Sequence, residues 1–214
     1  MNVRIISTTK SFLSRTEDLV AYIARVSNPD NQMNTETAPK LLKYLIKNKH
    51  WSPFEMVDMT VEIQTSRAIA AQILRHRSFS FQEFSQRYSS PTNFEPVELR
   101  RQAKNNRQSS EAVLKDDTLN KMIAITVSLA RYTYDQLIAN GVSKETARMV
   151  LPLTTQTTIY MKGSLRSWIH YIELRTDPHT QKEHREIALE IKNIFTEEFP
   201  TISDALEWRS ICTQ

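Results

Sequence analysis

Between Leu74 and Ser90 the chain reads LRHRSFSFQEFSQRYSS, which sets Arg75, His76, Arg77 and Arg87 among Ser78, Ser80, Gln82, Glu83, Ser85 and Ser89 without a single glycine. Guanidinium groups present rigid forks of N–H donors that match phosphate and carboxylate oxygens, so the chemistry on offer is anion binding by side chains. On a regular helix three consecutive residues point about 100° apart. At a helix end that runs into a loop, Arg75, His76 and Arg77 can instead fan around one extended anion such as a pyrophosphate. The Ser- and Gln-rich continuation suits a loop wrapped around a polar ligand. An isolated Arg-His-Arg triplet reads most simply as a solvated basic turn; the Ser, Glu and Arg positions that follow weigh against that simple reading.

Two further arginines stand out. Arg148, in KETARMVLPL, has strongly apolar neighbours and lies just before Pro152. Arg175 closes SLRSWIHYIELR, where a cation also offsets the helix dipole. Taken alone, both read as helix-end and surface ion-pair cations. His50 precedes WSPFE and says little by itself. His179 and His184 are five apart, the wrong spacing for one helical face, so no metal site is expected. The only cysteine, Cys212, excludes a disulfide framework and a multi-cysteine metal site. Trp51, Trp168 and Trp208 read as core or interface residues rather than a base-stacking platform.

Composition narrows the ligand class. The 214 residues are 40% hydrophobic and 24% charged, near globular averages, with a net charge of +4. A sequence pI of about 9.2 suggests an anionic partner: nucleic acid, a nucleotide or a phosphorylated cofactor. Only Gly141 and Gly163 are glycines. A dinucleotide-binding G-x-G-x-x-G turn or a P-loop needs several, so any phosphate here is expected to be held by side chains. No apolar run approaches the ~18 residues needed to span a membrane, and the first residues, MNVRIISTTK, lack the apolar core of a signal peptide. A cytoplasmic protein is expected, in the host cytoplasm if the source is a virus.

The elements that must position these residues follow from periodicity. VRIISTT reads as a strand, TEDLVAYIARVS as a helix with Thr16 as its N-cap, and TAPKLLKYLIKNK as another helix. From Val57 to Gln64, apolar Val57, Met59, Val61 and Ile63 alternate with polar residues, which predicts a strand. A helix from about Ser66 buries Ile69 and Ile73 and sets Gln72 and Arg75 one turn apart. Pro91 to Asp117 reads as an irregular, mobile excursion. A long helix spans Leu119–Ala139, closed by Asn140-Gly141. Ser143 caps a short helix holding Glu145 and Arg148, ended by Pro152. TTQTTIYMKG reads as strand, and SLRSWIHYIELR as a helix with Leu165, Trp168, Ile169 and Ile172 opposite Arg166, His170 and Glu173. Thr180 and Glu183 predict a capping box for a last helix to Phe199. The expected fold is α/β (α+β): one domain over 1–214, with a small, largely antiparallel sheet flanked by helices.

Several of these residues together resemble the flavin-dependent thymidylate synthases. The family signature is RHR, seven residues, then Ser, matched by Arg75-His76-Arg77 and Ser85; its longer form is matched by Glu83, Arg87, Tyr88 and Ser89. KHWSPFE, ARMVLPL and SLRSWIHYIELR follow in order over nearly the whole chain. The resemblance implies reductive methylation of dUMP to dTMP, with methylenetetrahydrofolate as one-carbon donor and FAD, reduced by NADPH, as hydride carrier. It also implies a homotetramer whose active sites are shared between subunits. Carried over by position, His50, Ser52, Glu55, Arg75, His76, Arg77, Glu83, Ser164, Arg166, His170 and His179 would contact FAD. Gln72, Arg75, Glu83, Ser85, Gln86, Arg87, Arg148 and Arg175 would surround dUMP. The family often has Gly where this chain has Gln86, and some members have Asn at Ser164.

The resemblance also gives the glycine-free basic turn a purpose, since two phosphorylated ligands would lie side by side there. Cys212 has no base or cation pattern around it to make a reactive thiolate, so activation of the uracil is expected from Arg175 by electrostatic stabilisation. Ser85 has no His-Asp pattern to activate it and reads as a hydrogen-bonding ligand. The rival expectation is a basic nucleic-acid-binding module, although the basic residues are scattered among carboxylates. A phosphodiesterase built on His76 lacks both a metal and a partner histidine.

Overall fold

The computed structural model describes residues 1–90 and 93–208. In chain order the elements are β1 (Asn2–Thr8), α1 (Thr16–Ala24), α2 (Ala38–Lys47), β2 (Asp58–Ser66), α3 (Arg67–Ile73), β3 (Ser80–Glu83), β4 (Arg100–Gln102), β5 (Ser110–Val113), α4 (Asp117–Ala139), α5 (Lys144–Ala147), β6 (Gln156–Ser164), α6 (Leu165–Arg175), α7 (Lys182–Glu198) and α8 (Pro200–Ala205). Short 3-10 turns occupy Pro29–Asn31, Ser52–Met56 and Arg148–Val150. Four strands form an antiparallel sheet in the order β1-β2-β6-β3. Its centre is the unbroken pairing of β2 with β6, from Asp58↔Ser164 to Ser66↔Gln156.

Alternation decides which face of that sheet is covered. Met59, Val61 and Ile63 of β2 and Ile159 and Met161 of β6 are buried beneath the helices, as the period of two requires. Against them pack Trp168, Ile169 and Ile172 of α6 and Ile187, Ile191 and Phe195 of α7. Each such side chain contributes roughly 1.5–3 kcal/mol on burial. The Trp168 indole N–H donates to the Met59 carbonyl at 2.9 Å, which satisfies a polar group that would otherwise be costly to bury. Gly163 is required by space: a Cβ there would lie 2.5 Å from Cδ1 of Phe79. That ring packs edge-on against Trp168 at 4.7 Å, so it has little room to move.

The expected class, α+β with a small antiparallel sheet, is the one observed. Several details differ. Residues 93–117 are not wholly irregular: β4 and β5 pair antiparallel. Ser80–Glu83, read as loop, is an edge strand on β6, because pairing across sequence distance outweighs its polar composition. Thr16 does not cap α1; Arg15 occupies the N-cap, and the Thr16 hydroxyl donates to the Thr9 carbonyl at 3.3 Å. The capping box at Thr180 and Glu183 is also absent. Gln181 is the N-cap of α7, Thr180 Oγ1 donates to the Leu174 carbonyl, and Glu183 turns to Arg100 at 2.5 Å. In each case a partner outside the helix takes a group that local spacing assigns to the cap. The long helix starts two residues earlier than expected, with the Asp116 carboxylate accepting from Leu119 N at 3.0 Å.

Candidate active site

The 3-10 turn after Trp51 and the first two turns of α6 face one another across a cleft of about 430 Å³. Ser164 ends β6 and caps α6 by accepting from Ser167 N, which fixes the direction in which Arg166 and His170 leave the helix. Glu55 joins the two walls: its Oε1 accepts from Arg166 Nη1 at 2.8 Å and its Oε2 from Ser164 Oγ at 2.5 Å. Trp51, Ser78, Ile169, His170 and Glu173 complete the lining. Arg77 precedes Ser78 and is exposed; among the described residues neither its guanidinium nor that of Arg75 forms an ion pair. Ser52 is exposed at the start of the turn, and the His50 ring packs edge-on against Tyr44 at 5.9 Å, outside the residues that line the cleft.

A second group forms where α3 and α6 end. Arg175 Nε donates to His76 Nε2 at 2.9 Å, which requires that nitrogen to be unprotonated. Burial, then the nearby Arg175 and His170, push the His76 imidazole down to about 4. Beside it Tyr171 lies edge-on at 4.8 Å, and its phenol is raised above its ordinary range by burial. His184 of α7 is fully buried. Burial first, then Arg175 and His76, take its ring down to about 3. Its Nε2 meets Tyr171 Oη at 3.0 Å and its Nδ1 meets Gln72 Oε1 at 3.3 Å.

The third group lies past the far end of β3. Glu83 Oε1 accepts from Arg67 Nη1 at 3.1 Å and from Thr157 Oγ1 at 2.9 Å. The next residues make a turn in which the Ser85 carbonyl accepts from Tyr88 N and Ser89 N. Gln86 is buried in that turn, with Nε2 lacking a hydrogen-bond partner among the described residues. Arg87 Nη2 pairs with Glu145 Oε2 at 3.1 Å, and Arg148 Nε donates weakly to the Glu145 carbonyl at 3.4 Å. Ser85, Arg87, Tyr88 and α5 line a cleft of about 370 Å³.

The structure therefore brings Glu55, Ser164, Arg166 and His170 together, and separately Gln72, His76 and Arg175. Glu83, Ser85, Gln86, Arg87 and Arg148 form a set of their own. Ser78 and Ser85 flank opposite ends of β3, whose Ser80 pairs with Lys162 and Glu83 with Ile159. His179 stands apart from all three. It is exposed, its backbone N–H and Nδ1 are both 2.8 Å from Asp177 Oδ1, and it lines a different cleft with Arg100, Gln102, Lys182 and Arg185.

Comparison with known proteins supplies the family. The profile of the thymidylate synthase complementing protein family matches residues 5–201. A probable flavin-dependent thymidylate synthase of Paramecium bursaria Chlorella virus 1 is 50% identical over 219 residues, covering 97% of this chain and 100% of the relative. The flavin-dependent thymidylate synthase of Synechocystis sp. is 52% identical over 217 residues, with the same coverage. This chain belongs to the flavin-dependent thymidylate synthase family. A solved structure, the UMP/dUMP methylase PolB from Streptomyces cacaoi bound with 5-Br dUMP, shares the fold with a TM-score of 0.81 over 97% of this chain and 94% of that one, at 24% identity.

Family membership agrees with the resemblance read from the motifs and disfavours a nucleic-acid module. Among the described residues no cluster of His, Cys, Asp and Glu has the arrangement of a metal site, and no helix is long and apolar enough to cross a membrane. Cys212 lies outside the described residues. What sequence reasoning missed in this flavin-dependent thymidylate synthase family member is the polar chain behind Gln72. One signal for it exists: His184, Ile187, Ala188 and Ile191 share helical spacing, which places a histidine on the buried face of α7.

Proposed function

We propose that this chain catalyses reductive methylation of dUMP to dTMP, with methylenetetrahydrofolate as one-carbon donor and NADPH as reductant. Arg175, tethered through Nε to His76 with its Nη groups left to face a substrate, carries this reading. The cleft beside α6 fits a flavin nucleotide. It combines an aromatic and aliphatic wall (Trp51, Ile169) with Arg166 and His170, and its volume lies in the usual range for small-molecule sites. With two glycines in the chain, phosphate must be held by cations, and Arg75 and Arg77 supply guanidinium groups that form no ion pair among the described residues. Arg75, Arg77, Arg166 and His170 would hold FAD here, which, reduced by NADPH, would supply the hydride.

The chain's own residues perform the rest. Arg87 and Arg148 hold the nucleotide phosphate, Arg87 by exchanging its exposed pair with Glu145, an exchange that costs little because such pairs contribute about 0–1 kcal/mol. Gln72, Glu83, Ser85 and Gln86 orient the nucleoside. Arg175 stabilises negative charge as it develops on the uracil, making C5, the carbon that receives the one-carbon unit, electron-rich without a thiolate. Arg175 cannot take the proton itself, since guanidinium does not deprotonate in proteins. Neutral His76 fixes the direction of its fork.

We place the enzyme in the cytoplasm as a homotetramer with shared active sites. Two features support the sharing: Arg87 and Arg148 lie past the opposite end of β3 from Arg166 and His170, and α4 presents an uncovered apolar face. The test is the visible spectrum of the purified protein before and after dUMP, followed by NADPH- and methylenetetrahydrofolate-dependent dTMP formation. A flavin spectrum that shifts with dUMP, and then dTMP, is expected. A colourless protein that takes up no added FAD and ignores dUMP overturns the proposal.

A further inference from the structure

A single hydrogen-bond chain runs behind the nucleotide residues. Glu183 Oε2 accepts from Gln181 Nε2 at 2.9 Å, Gln181 Oε1 accepts from Gln72 Nε2 at 2.7 Å, and Gln72 Oε1 faces His184 Nδ1 at 3.3 Å. His184 Nε2 in turn faces Tyr171 Oη at 3.0 Å. Every link but one can be reversed: amides flip, imidazole has two tautomers and a hydroxyl both donates and accepts. The exception is Glu183. Its carboxylate only accepts: against the burial that opposes its charge, its own backbone N–H and then Arg100 Nη2, 2.5 Å from Oε1, favour the ionised form. Gln181 must therefore turn its amide nitrogen to Glu183 and its oxygen to Gln72. Gln72 must donate to Gln181 and show its oxygen to His184, which carries its proton on Nδ1 and accepts from Tyr171 through Nε2.

We propose that Glu183, acting through Gln181 and the buried His184–Tyr171 pair, sets the amide orientation of Gln72 and so fixes which side of that amide offers a donor and which an acceptor to the nucleotide. With one N–H bonded to Gln181 and one lone pair to His184, Gln72 keeps a single N–H and a single lone pair in a fixed order. That arrangement suits a ligand edge with an acceptor beside a donor, and rejects the same edge reversed. Glu183, Gln181 and His184 are positioning residues. They touch Gln72 or one another, and their effect on the substrate passes through it. The assignment rests on the proposed role of Gln72 in dUMP binding.

The test is Glu183→Gln, which preserves shape and hydrogen-bond count but removes the group that gives the chain its direction. Two readouts keep this inference separate from the reading beneath it. The first needs no substrate: ¹⁵N NMR of the imidazoles is expected to show His184 as the Nδ1–H tautomer in the parent protein and as a mixture in the variant. The second is steady-state kinetics, where the KM for dUMP is expected to rise several-fold to tenfold with kcat and flavin content retained. Gln181→Met, at an exposed position that leaves the Glu183–Arg100 pair intact, is expected to reproduce both effects. Glu98→Gln, outside the chain, is expected to produce neither. An Nε2–H tautomer in the parent protein, or an unchanged tautomer in both chain variants, overturns the inference whatever dUMP does. An unchanged KM in a variant whose tautomer has shifted overturns the link to the nucleotide. A parent protein with the expected tautomer that binds no dUMP sinks the functional reading instead.

Discussion

A guanidinium has five N–H donors and no acceptor, so the atoms it commits to the protein decide which edge remains for a ligand. Arg175 commits Nε to His76 and keeps its terminal nitrogens. Lysine at that position would keep the charge and lose both the tether and the fork. Arg175→Lys is therefore expected to lower kcat for dTMP formation by roughly a hundredfold or more, the usual effect of losing a preorganised charge-stabilising donor, with the melting temperature nearly unchanged. A folded variant with parental kcat would remove Arg175 from the reacting edge. Among the described residues the Arg148 guanidinium makes one weak bond, to the Glu145 carbonyl at 3.4 Å, which costs little to exchange for a ligand. Arg148→Ala is expected to weaken dUMP binding by about 1.5–3 kcal/mol, roughly ten- to a hundredfold, the range for a charged hydrogen bond. Calorimetric titration with dUMP checks it, and unchanged affinity would take Arg148 out of the phosphate site.

The elements that hold these residues differ in how openly the sequence declares them. The α6 segment is legible because its apolar residues recur at helical spacing, and Leu165, Trp168, Ile169 and Ile172 are indeed its buried face. The β2 strand is legible from strict alternation. In contrast, β3 is four residues long and pairs with β6 across a large sequence gap, so local pattern cannot reveal it. The β4–β5 hairpin is mostly polar, with Ala112 and Val113 the apolar residues of its strands, and it and the preceding Glu98 make ion pairs to α7, Glu98 with Lys182 and Arg100 with Glu183, which leave no periodicity. The signature arginines are legible as anion binders, but the buried partners of Gln72 come from separate helices. Gly163 gives this scale a direct measurement. Gly163→Ala would drive a methyl into the Phe79 ring, which Trp168 and Tyr171 confine at ring-centroid distances of 4.7 and 5.8 Å. A loss of about 1–3 kcal/mol is expected from such overpacking, read from urea midpoints; a loss below ~0.5 kcal/mol would mean that the ring yields freely.

For the whole molecule, two features reach beyond any one element. The first is α4, where Met122, Ile125, Leu129 and Tyr132 are between 58% and 66% exposed and Tyr134 is the buried exception. An apolar stripe of this kind needs a partner, and Ile125→Glu is expected to shift light scattering to a smaller species and to lower turnover together; a parent protein that is already monomeric removes the tetramer. The second is acid sensitivity. His76 and His184 titrate near 4 and 3 in the folded chain but near 6.5 once unfolded. Between those values the unfolded chain binds more protons than the folded one, so folding is favoured above pH 6.5 and stability falls as pH drops. Each histidine can contribute up to about 1.4 kcal/mol per pH unit, with half-exposed His76 contributing less because solvent screens it. The carboxylates with lowered pKa, Glu62, Glu98, Asp177 and Glu183, act in the same direction only below about 4.5. The window from pH 6.5 to 4.5 therefore isolates the two rings. Urea midpoints are expected to fall steadily from pH 7 to pH 5, and to fall less steeply in His184→Gln even though that variant starts from lower stability. A flat profile across that window would mean that the two rings take up protons as readily in the folded chain as in the unfolded one, and the lowered titration of His76 and His184 would be overturned.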